Sequence, residues 1–421
     1  MLIDKGGKQM CNYCNLEGLE YENIHSHSMY SNIYTPDSII SKEDIAKRAV
    51  ELGQKTLSLV EHGYFANIFE TYDIAKKYGL SLIFGSEFYF VKDRFEKDRT
   101  NAHLLVMAKN EKGREEITEM VSESNKTGFY GKPRIDEDLL FKLTPENVIV
   151  TTACIASPIN KYEDYADYFI TACKEHFGDN FFLEVQPHTN IKQIEFNKKL
   201  QGYRQEYNVP FILGIDSHYI YADDAKNRDL FLQGKNIYYP EEEGFIIDFP
   251  TVEDILKRLS EQAVLSEDEV IEAFESTLIA REFESVKLDD DIKMPTIYPN
   301  LSHEEKVGKL HEIINHAWKE DRKHIPKEKW AEYLKAIQFE TNIITDTQME
   351  DYFLLNHKII DKATTEYGGV LTRTGRGSAP SMYINKLFGF TEIDRLEAPI
   401  TLYPTRFMSK SRILETRSLP D

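Results

Sequence analysis

The strongest constraint on the fold is an alternation running from about Tyr21 to Tyr221, in which short apolar runs are separated by amphipathic stretches. The apolar runs are "KTLSLVEHG", "LSLIFGSEFYFV", "HLLVMAKN", "NVIVTTACI", "FFLEVQPH" and "VPFILGIDSHYI". Rich in Val, Ile, Leu and Phe, they read as buried strands. Stretches such as "SKEDIAKRAVELG", with Ser41 as N-cap and Gly53 as stop, and "IKQIEFNKKLQGYRQEYN" read as helices. Strands followed by helices build a parallel sheet, which puts this part of the chain in the α/β class. At least six such units within about 200 residues predict a closed or nearly closed (β/α) barrel. An open doubly wound sheet is the alternative.

After Tyr221 the pattern becomes mostly helical, with "TVEDILKRLSE", "SEDEVIEAFESTLIAREF" and "EKWAEYLKAIQFETNIITD" as amphipathic helices around a polar connector, "VKLDDDIKMPTIYPN". The expected organisation is an extension over 1–20, a barrel domain over 21–235, a mostly helical region over 236–347, and a third region over 348–421. No apolar run reaches the roughly eighteen residues of a membrane span. The start, "MLIDKGGKQMCNYC", lacks the apolar core of a signal peptide, so an intracellular, cytoplasmic location is expected. Four cysteines are too few for a disulfide scaffold, and Cys11 and Cys14 have the spacing of half a zinc site with no second half.

The net charge is −20, from 51 basic and 71 acidic side chains. That balance argues against a protein that simply coats nucleic acid and fits one that gathers cations. The stretch 371–421 departs from it, with eight basic and five acidic residues, as a phosphate-binding region would.

Polar residues interrupt the apolar runs mostly near their C-terminal ends, where (β/α) barrels gather their chemistry. His25 and His27 end the first strand, and Asp37 follows in a loop. His62 ends "SLVEHG", Glu87 sits in "FGSEFYF", and His103 begins "HLLVMAK". Cys154 follows "VIVTTA", and Asp216 and His218 form a second pair spaced by two in "GIDSH". In extended chain, residues spaced by two share a face, so each pair can converge on one ion. Imidazole and thiolate suit zinc-like metals, and carboxylates suit harder ions. Nine such groups exceed the needs of one ion, so two or three divalent ions are expected. Two ions roughly 4 Å apart can clamp the attacking and leaving oxygens of a phosphate ester. Asp216, His218, His25 and His27 are the candidate catalytic residues. His188 in "EVQPH" is either a substrate-phosphate contact or structural.

These motifs together, "HSHSMYS…D", "VEHG", "GSEFYF" and "GIDSH", resemble the PHP (polymerase and histidinol phosphatase) domain over roughly residues 20–235. The further text "GFYGKPRIDEDLL", "FFLEVQPH" and "DAKNRDLFLQGKN" is similar to the PHP domain that opens the bacterial and phage DNA polymerase III alpha (family C) polymerases. The resemblance implies a distorted seven-stranded barrel with a trinuclear metal centre of zinc or manganese. Its ligands would be His25, His27, Asp37, His62, Glu87, His103, Cys154, Asp216 and His218. It also implies metal-dependent 3′–5′ exonuclease activity of the proofreading type. The family usually has Asp before the second-motif histidine, where this chain has Glu61.

"TRTGRGSAPSMYINKLFGFTEIDRL" resembles the polymerase palm of that family. Gly375 and Gly377 allow close backbone approach, and Arg376 and Ser378 can donate to triphosphate oxygens. Arg373, Arg406 and Arg412 are candidate DNA-phosphate contacts. The family's text continues past "LPD" into two magnesium-binding aspartates, so Asp421 belongs to the lead-in, and this chain alone is not expected to polymerise DNA. The expected partners are a DNA 3′ end or single strand, deoxynucleoside triphosphate in a full-length polymerase, and a separately encoded polymerase half, with no membrane. Alternatives are a PHP domain that only braces a split polymerase, and a phosphatase of the histidinol-phosphate type.

Overall fold

A computed structural model describes residues 13, 16–239, 244–289, 293–371, 377–416 and 419–420. Cys11, Cys14, Arg373, Gly375, Arg376 and Asp421, singled out above, lie outside the described residues. The chain divides into two compact units, Met1–Leu288 and Asp289–Asp421. Among the described residues no helix is long and apolar enough to cross a membrane.

The first unit is built on seven strands: β1 (Thr56–Leu59), β2 (Ser81–Phe90), β3 (Ala102–Ala108), β4 (Arg134–Ile135), β5 (Val148–Thr151), β6 (Phe181–Val185) and β7 (Phe211–Leu213). Their order is β1-β2-β3-β5-β6-β7, with the short β4 added to β2. Past β7 the sheet curls back to the chain start, where Ser26 bridges Ser217 and the His27 N–H donates to the Ser217 carbonyl at 2.9 Å. From the other side the Ser58 hydroxyl donates to the Asn23 carbonyl at 3.0 Å, so the barrel is nearly closed. The segment carrying His25 and His27 is thus extended chain with a single bridge, where the sequence predicts a regular first strand.

A second difference concerns direction. β3 runs antiparallel to both β2 and β5, whereas the alternation predicts parallel strands throughout. The cause lies in residues 91–101, "VKDRFEKDRTN", which form no helix. A parallel return needs a crossover, usually helical, so the chain turns back beside β2 instead.

Side chains alternate across each strand and separate two apolar layers. Leu57, Phe84, Leu104, Val106, Val150 and Leu183 face the surrounding helices. Those helices contribute Ile45 and Ala49 from Lys42–Glu51, Phe169 from Ala166–Phe177, Phe196 from Ile191–Tyr207, and Val270 and Phe274 from Glu267–Thr277. The alternate residues, Ile83, Leu105, Met107, Ile149, Phe182 and Ile212, fill the barrel interior. Ser41 caps the Lys42–Glu51 helix by accepting from the Asp44 N–H, and Gly53 follows with φ of +75°, matching the predicted start and stop.

The second unit is helical. His303–Asp321, Trp330–Asp346 and Glu350–Glu366 pack with the short helix Tyr383–Leu387 around Trp318, Tyr333, Phe353 and Tyr383. The buried Glu340 carboxylate accepts from the Ile384 N–H at 2.8 Å and from Arg395 Nε at 2.6 Å. It therefore satisfies an open backbone donor in the first turn of that short helix.

Glu22 fixes the segment that delivers the first histidines. Its carboxylate is 0% exposed and accepts from the Lys55 N–H, the Thr56 N–H and hydroxyl, and Arg281 Nε at 2.6 Å. Replacing it with alanine strands these donors, at an expected cost of about 3 kcal/mol. The Glu22→Ala chain should therefore unfold at lower urea by circular dichroism. Both tryptophans, Trp318 and Trp330, lie in the second unit, so the fluorescence transition should stay in place.

Candidate metal centre

The strand parity that fills the barrel with apolar side chains also loads its mouth with polar ones. Glu87 follows Ile83 on the inner face of β2, His103 precedes Leu105 on that of β3, and Glu184 follows Phe182 on that of β6. Because β3 is reversed, His103 at its N-terminal end reaches the rim where the parallel strands end. The extended segment adds His25 and His27, the chain after β1 adds His62, and the chain after β7 adds Asp216 and His218. Asp216 holds φ at +51°, and Ala153, beside Cys154, holds +54°. Such backbone is unusual for residues other than glycine and clusters at functional sites.

Ligand-type atoms crowd together here. His25 Nε2 and His27 Nε2 are 3.1 Å apart, and each lies 3.4 Å from Asp216 Oδ1. The Glu87 carboxylate stands 3.4 Å from both of these nitrogens, 2.6 Å from His62 Nδ1 and 3.2 Å from His103 Nδ1. Asp37 Oδ2 lies 3.0 Å from His218 Nε2 and 3.4 Å from His62 Nε2. Cys154 Sγ lies 3.6 Å from His103 Nδ1. All nine expected ligands are thus brought to one rim. Seven of them form three overlapping triads with ligand atoms within 4.8 Å of one another: His25–His27–Asp216, His27–His62–His218 and His62–Glu87–His103.

The donor set fits cations. Among the described residues, both Glu87 oxygens and Asp216 Oδ1 are buried without a well-aligned hydrogen bond, although imidazole nitrogens stand close to them. Burying an ionised carboxylate without partners costs several kcal/mol or more, roughly, so a positive charge must stand in for the missing donors. Burial pushes the Glu87 carboxyl up, but the adjacent His103 and His62 outweigh it and hold it well below the usual range. Asp216 is likewise lowered against burial, by His25 and His218. In return, His62 rises to about 10 against the effect of burial, drawn by Glu87 and Asp37. His27 goes the other way: burial, then the charge of His62, lowers it to about 4 and leaves a neutral imidazole. Burial and Glu87 raise the Cys154 thiol well above its ordinary value.

A second layer of residues orients these groups. Glu184 Oε1 takes His25 Nδ1 at 2.7 Å and is itself held by Thr151 and Gln186. Gly214 makes room for it, since a Cβ there would sit 1.9 Å from Glu184 Oε1. Glu61 accepts from the Ser28 hydroxyl at 2.6 Å and from Ser31, and Ser31 Oγ contacts His27 Nδ1 at 2.9 Å. Lys42 pairs with Glu61 at 2.5 Å. The Glu in place of the family's Asp therefore positions His27 through a serine. Arg228 donates to the Asp37 carboxylate and carbonyl. Sequence reasoning passed over Glu184, Lys42 and Arg228. The signal for Glu184 was available, as an acidic residue inside the apolar run "FFLEV".

The cluster opens into a cavity of about 490 Å³ lined also by Tyr89, Lys132, Gln186 and His188. His188 Nδ1 donates to the Ile246 carbonyl at 2.9 Å, and burial lowers the ring to about 4. In that neutral tautomer Nε2 accepts and does not donate to a phosphate oxygen. In the second unit, Gly377 holds φ at +66°, and the Ser378 hydroxyl is buried with no hydrogen-bond partner among the described residues. Arg406 is exposed, whereas the Arg412 guanidinium turns onto the carbonyls of Arg406 and Leu419.

Comparison with known proteins gives matches to both ends of the chain. Residues 23–188 match the PHP domain, and residues 310–421 match the bacterial DNA polymerase III alpha NTPase domain. The chain is 30% identical over 413 residues to DNA polymerase III subunit alpha of Borreliella burgdorferi, covering 94% of this chain and 34% of the relative. It is 26% identical to the same-named subunit of Aquifex aeolicus, covering 96% and 36%. It is also 26% identical to a DNA-directed DNA polymerase of Bacillus phage SPbeta, covering 92% and 35%. The chain spans about a third of the length of these relatives.

Metal uptake should expel protons, because ligands bind in their deprotonated forms. With His62 raised to about 10, its imidazole is protonated near neutrality when no cation is bound, so affinity should fall as pH falls. Titrating zinc or manganese into the chelated chain in two buffers of different ionisation enthalpy reads this directly. A buffer-independent heat would contradict it. Glu87→Gln should weaken binding by at least about tenfold.

Proposed function

The chain belongs to the DNA polymerase III alpha family, with a PHP domain leading to the start of the alpha NTPase domain, and from this premise we propose that its first unit hydrolyses phosphodiesters at the 3′ end of DNA. The observation that carries the reading is the buried Glu87 carboxylate and the Asp216 Oδ1 atom, set among five imidazoles at an open barrel mouth without a well-aligned hydrogen bond among the described residues. Structural metal sites are closed, while catalytic sites keep an open side for substrate. Here the open side is the cavity, which Asp37, His62, His103, Cys154, Asp216 and His218 all line.

His25, His27, His62, Glu87, His103, Asp216 and His218 would hold two or three divalent cations, zinc or manganese, with Asp37 and Cys154 completing the set. Bound there, such cations supply Lewis-acid activation of water and neutralise phosphate charge. The chain does the rest. Glu184 accepts from His25 Nδ1, which leaves Nε2 free as a ligand atom. Ser31, fixed by Glu61, does the same for His27. His218, then His62 and Arg228, hold the Asp37 carboxyl low against burial, and Arg228 keeps it in place. The apolar interior beneath, from Ile83 to Ile212, closes the barrel to water from below. Substrate then approaches only from the cavity, where His188 Nε2 offers an acceptor to a sugar hydroxyl.

For the second unit we assign Gly375, Arg376, Gly377 and Ser378 to nucleotide triphosphate, and Arg373 and Arg406 to DNA phosphates, within a longer polymerase using magnesium.

Digestion of 3′-labelled single-stranded DNA, run alongside metal analysis, tests the first unit. The chain should shorten the label's strand from the 3′ end in manganese or zinc. Asp216→Asn, which removes one carboxylate ligand at nearly constant shape, should slow this by about a hundredfold or more. Undiminished digestion by that variant would remove the site from the reaction. Bound metal without any digestion would favour a bracing role for the cluster.

A further inference from the structure

The cavity at the metal centre is divided by charge. Its lining carries the carboxylates Asp37 and Asp216 beside the imidazoles, and the more exposed cations Arg99, Lys132 and Lys161. Among the described residues none of these three cations has a carboxylate within ion-pair distance. Their neighbours differ: Lys92 pairs with Asp164 at 3.1 Å, and Arg94 with Asp136 at 2.6 Å. In a chain of net charge −20, three cations without acidic partners on one rim run against the general balance.

Lys132 is the best placed of the three. Its Nζ sits 4.2 Å from the centre of the Tyr89 ring, a cation–π contact that orders the side chain. Tyr89 is 1% exposed, and its ring also packs against His62, at 6.0 Å between ring centres, His103, at 5.5 Å, and Tyr34, at 6.4 Å. One aromatic ring is therefore shared by this ammonium and two imidazoles of the metal centre. Burial, then the like charge of Lys161, lowers the Lys132 ammonium from its ordinary value, so it is a partly desolvated cation whose natural complement is an anion.

We infer that Lys132, seated on Tyr89 and flanked by Lys161 and Arg99, forms a subsite for the phosphate next to the scissile one. The inference rests on the hydrolytic reading above and adds the residues that hold the strand beyond the scissile linkage. The scissile phosphate belongs at the cations' side of Tyr89, and the next phosphate along the strand belongs at the ammonium's side. A small phosphomonoester has no group to place there. Lys132 is a positioning residue in this scheme and takes no part in bond breaking.

The test compares two substrates on the full chain. One is thymidine 5′-(p-nitrophenyl) phosphate, a diester with a single phosphate. The other is a 3′-labelled oligonucleotide, offered also with a neutral methylphosphonate next to the terminal linkage. Lys132→Ala should raise the oligonucleotide KM by about tenfold more than it raises that of the short diester, with Lys132→Arg restoring most of the loss. On the methylphosphonate strand the same substitution should have little further effect. Equal damage on both substrates would place Lys132 at the scissile phosphate or in the fold, and would overturn the subsite. Binding of a fluorescein-labelled oligonucleotide to the chelated chain separates this from the hydrolytic reading. There Lys132→Ala should weaken binding and flatten the salt dependence by about one phosphate contact. Lys132-dependent binding without cleavage of either substrate would sink the hydrolysis and keep the subsite. Cleavage with no dependence on Lys132 would do the reverse.

Discussion

The barrel mouth is organised around one costly arrangement, the burial of Glu87 with neither carboxylate oxygen accepting a hydrogen bond. A buried carboxylate this bare is tolerated only with positive charge beside it. Four imidazoles, from His25, His27, His62 and His103, surround it at 2.6–3.4 Å. They come from the extended chain start, the end of β1 and the start of β3, so satisfying one carboxylate draws three separate segments to one point. Asp216 and Asp37 repeat the arrangement with His218 and Arg228 on the remaining side. Protons on the imidazoles can balance this charge, and so can cations. The second option frees the nitrogens to act as ligands, which is why the same geometry serves both stability and chemistry.

Around that centre lies a layer that never needs to touch a metal. Glu184 and Glu61 each hold one histidine of the first pair, directly or through Ser31. Glu61 shows how a longer side chain can keep a family position. An aspartate at this position would be one methylene shorter. The glutamate reaches Ser28, Ser31 and Lys42 together, and Lys42 outweighs burial to keep its carboxyl below the ordinary value. The close fit of Gly214 against Glu184 shows the opposite constraint, since space for the positioning carboxylate exists only where a side chain is missing.

The chain's residues disclosed the ligands better than their scaffold. The two pairs spaced by two, and the polar residues ending apolar runs, were enough to assemble the nine groups now found at one rim. The direction of β3 was not legible from apolar content, because a buried strand looks the same either way. The helix-free link "VKDRFEKDRTN" held that information. Once β3 is reversed, the exception in the pattern disappears: His103 begins its strand yet belongs with residues that end theirs. The second-layer residues were hidden for a different reason. Lys42 and Arg228 sit on helices whose sequences look like ordinary solvated faces. Only the tertiary fold turns Lys42 to Glu61 and Arg228 to Asp37.

The acidity of the chain and its reading as a DNA-processing protein are compatible once charge is located. Part of the acidic excess is internal: Asp37, Glu61, Glu87 and Glu184 are buried or nearly so and answered by imidazoles, Lys42, Arg228 or cations. Charge neutralised at contact distance contributes little field beyond a Debye length of about 8 Å. What an approaching phosphate meets first is the rim, where Arg99, Lys132 and Lys161 stand without acidic partners. Beyond the rim it meets a floor whose carboxylates repel it unless cations are in place. The net charge of the chain therefore disfavours indiscriminate coating of nucleic acid, while the local arrangement gathers three cations at one opening.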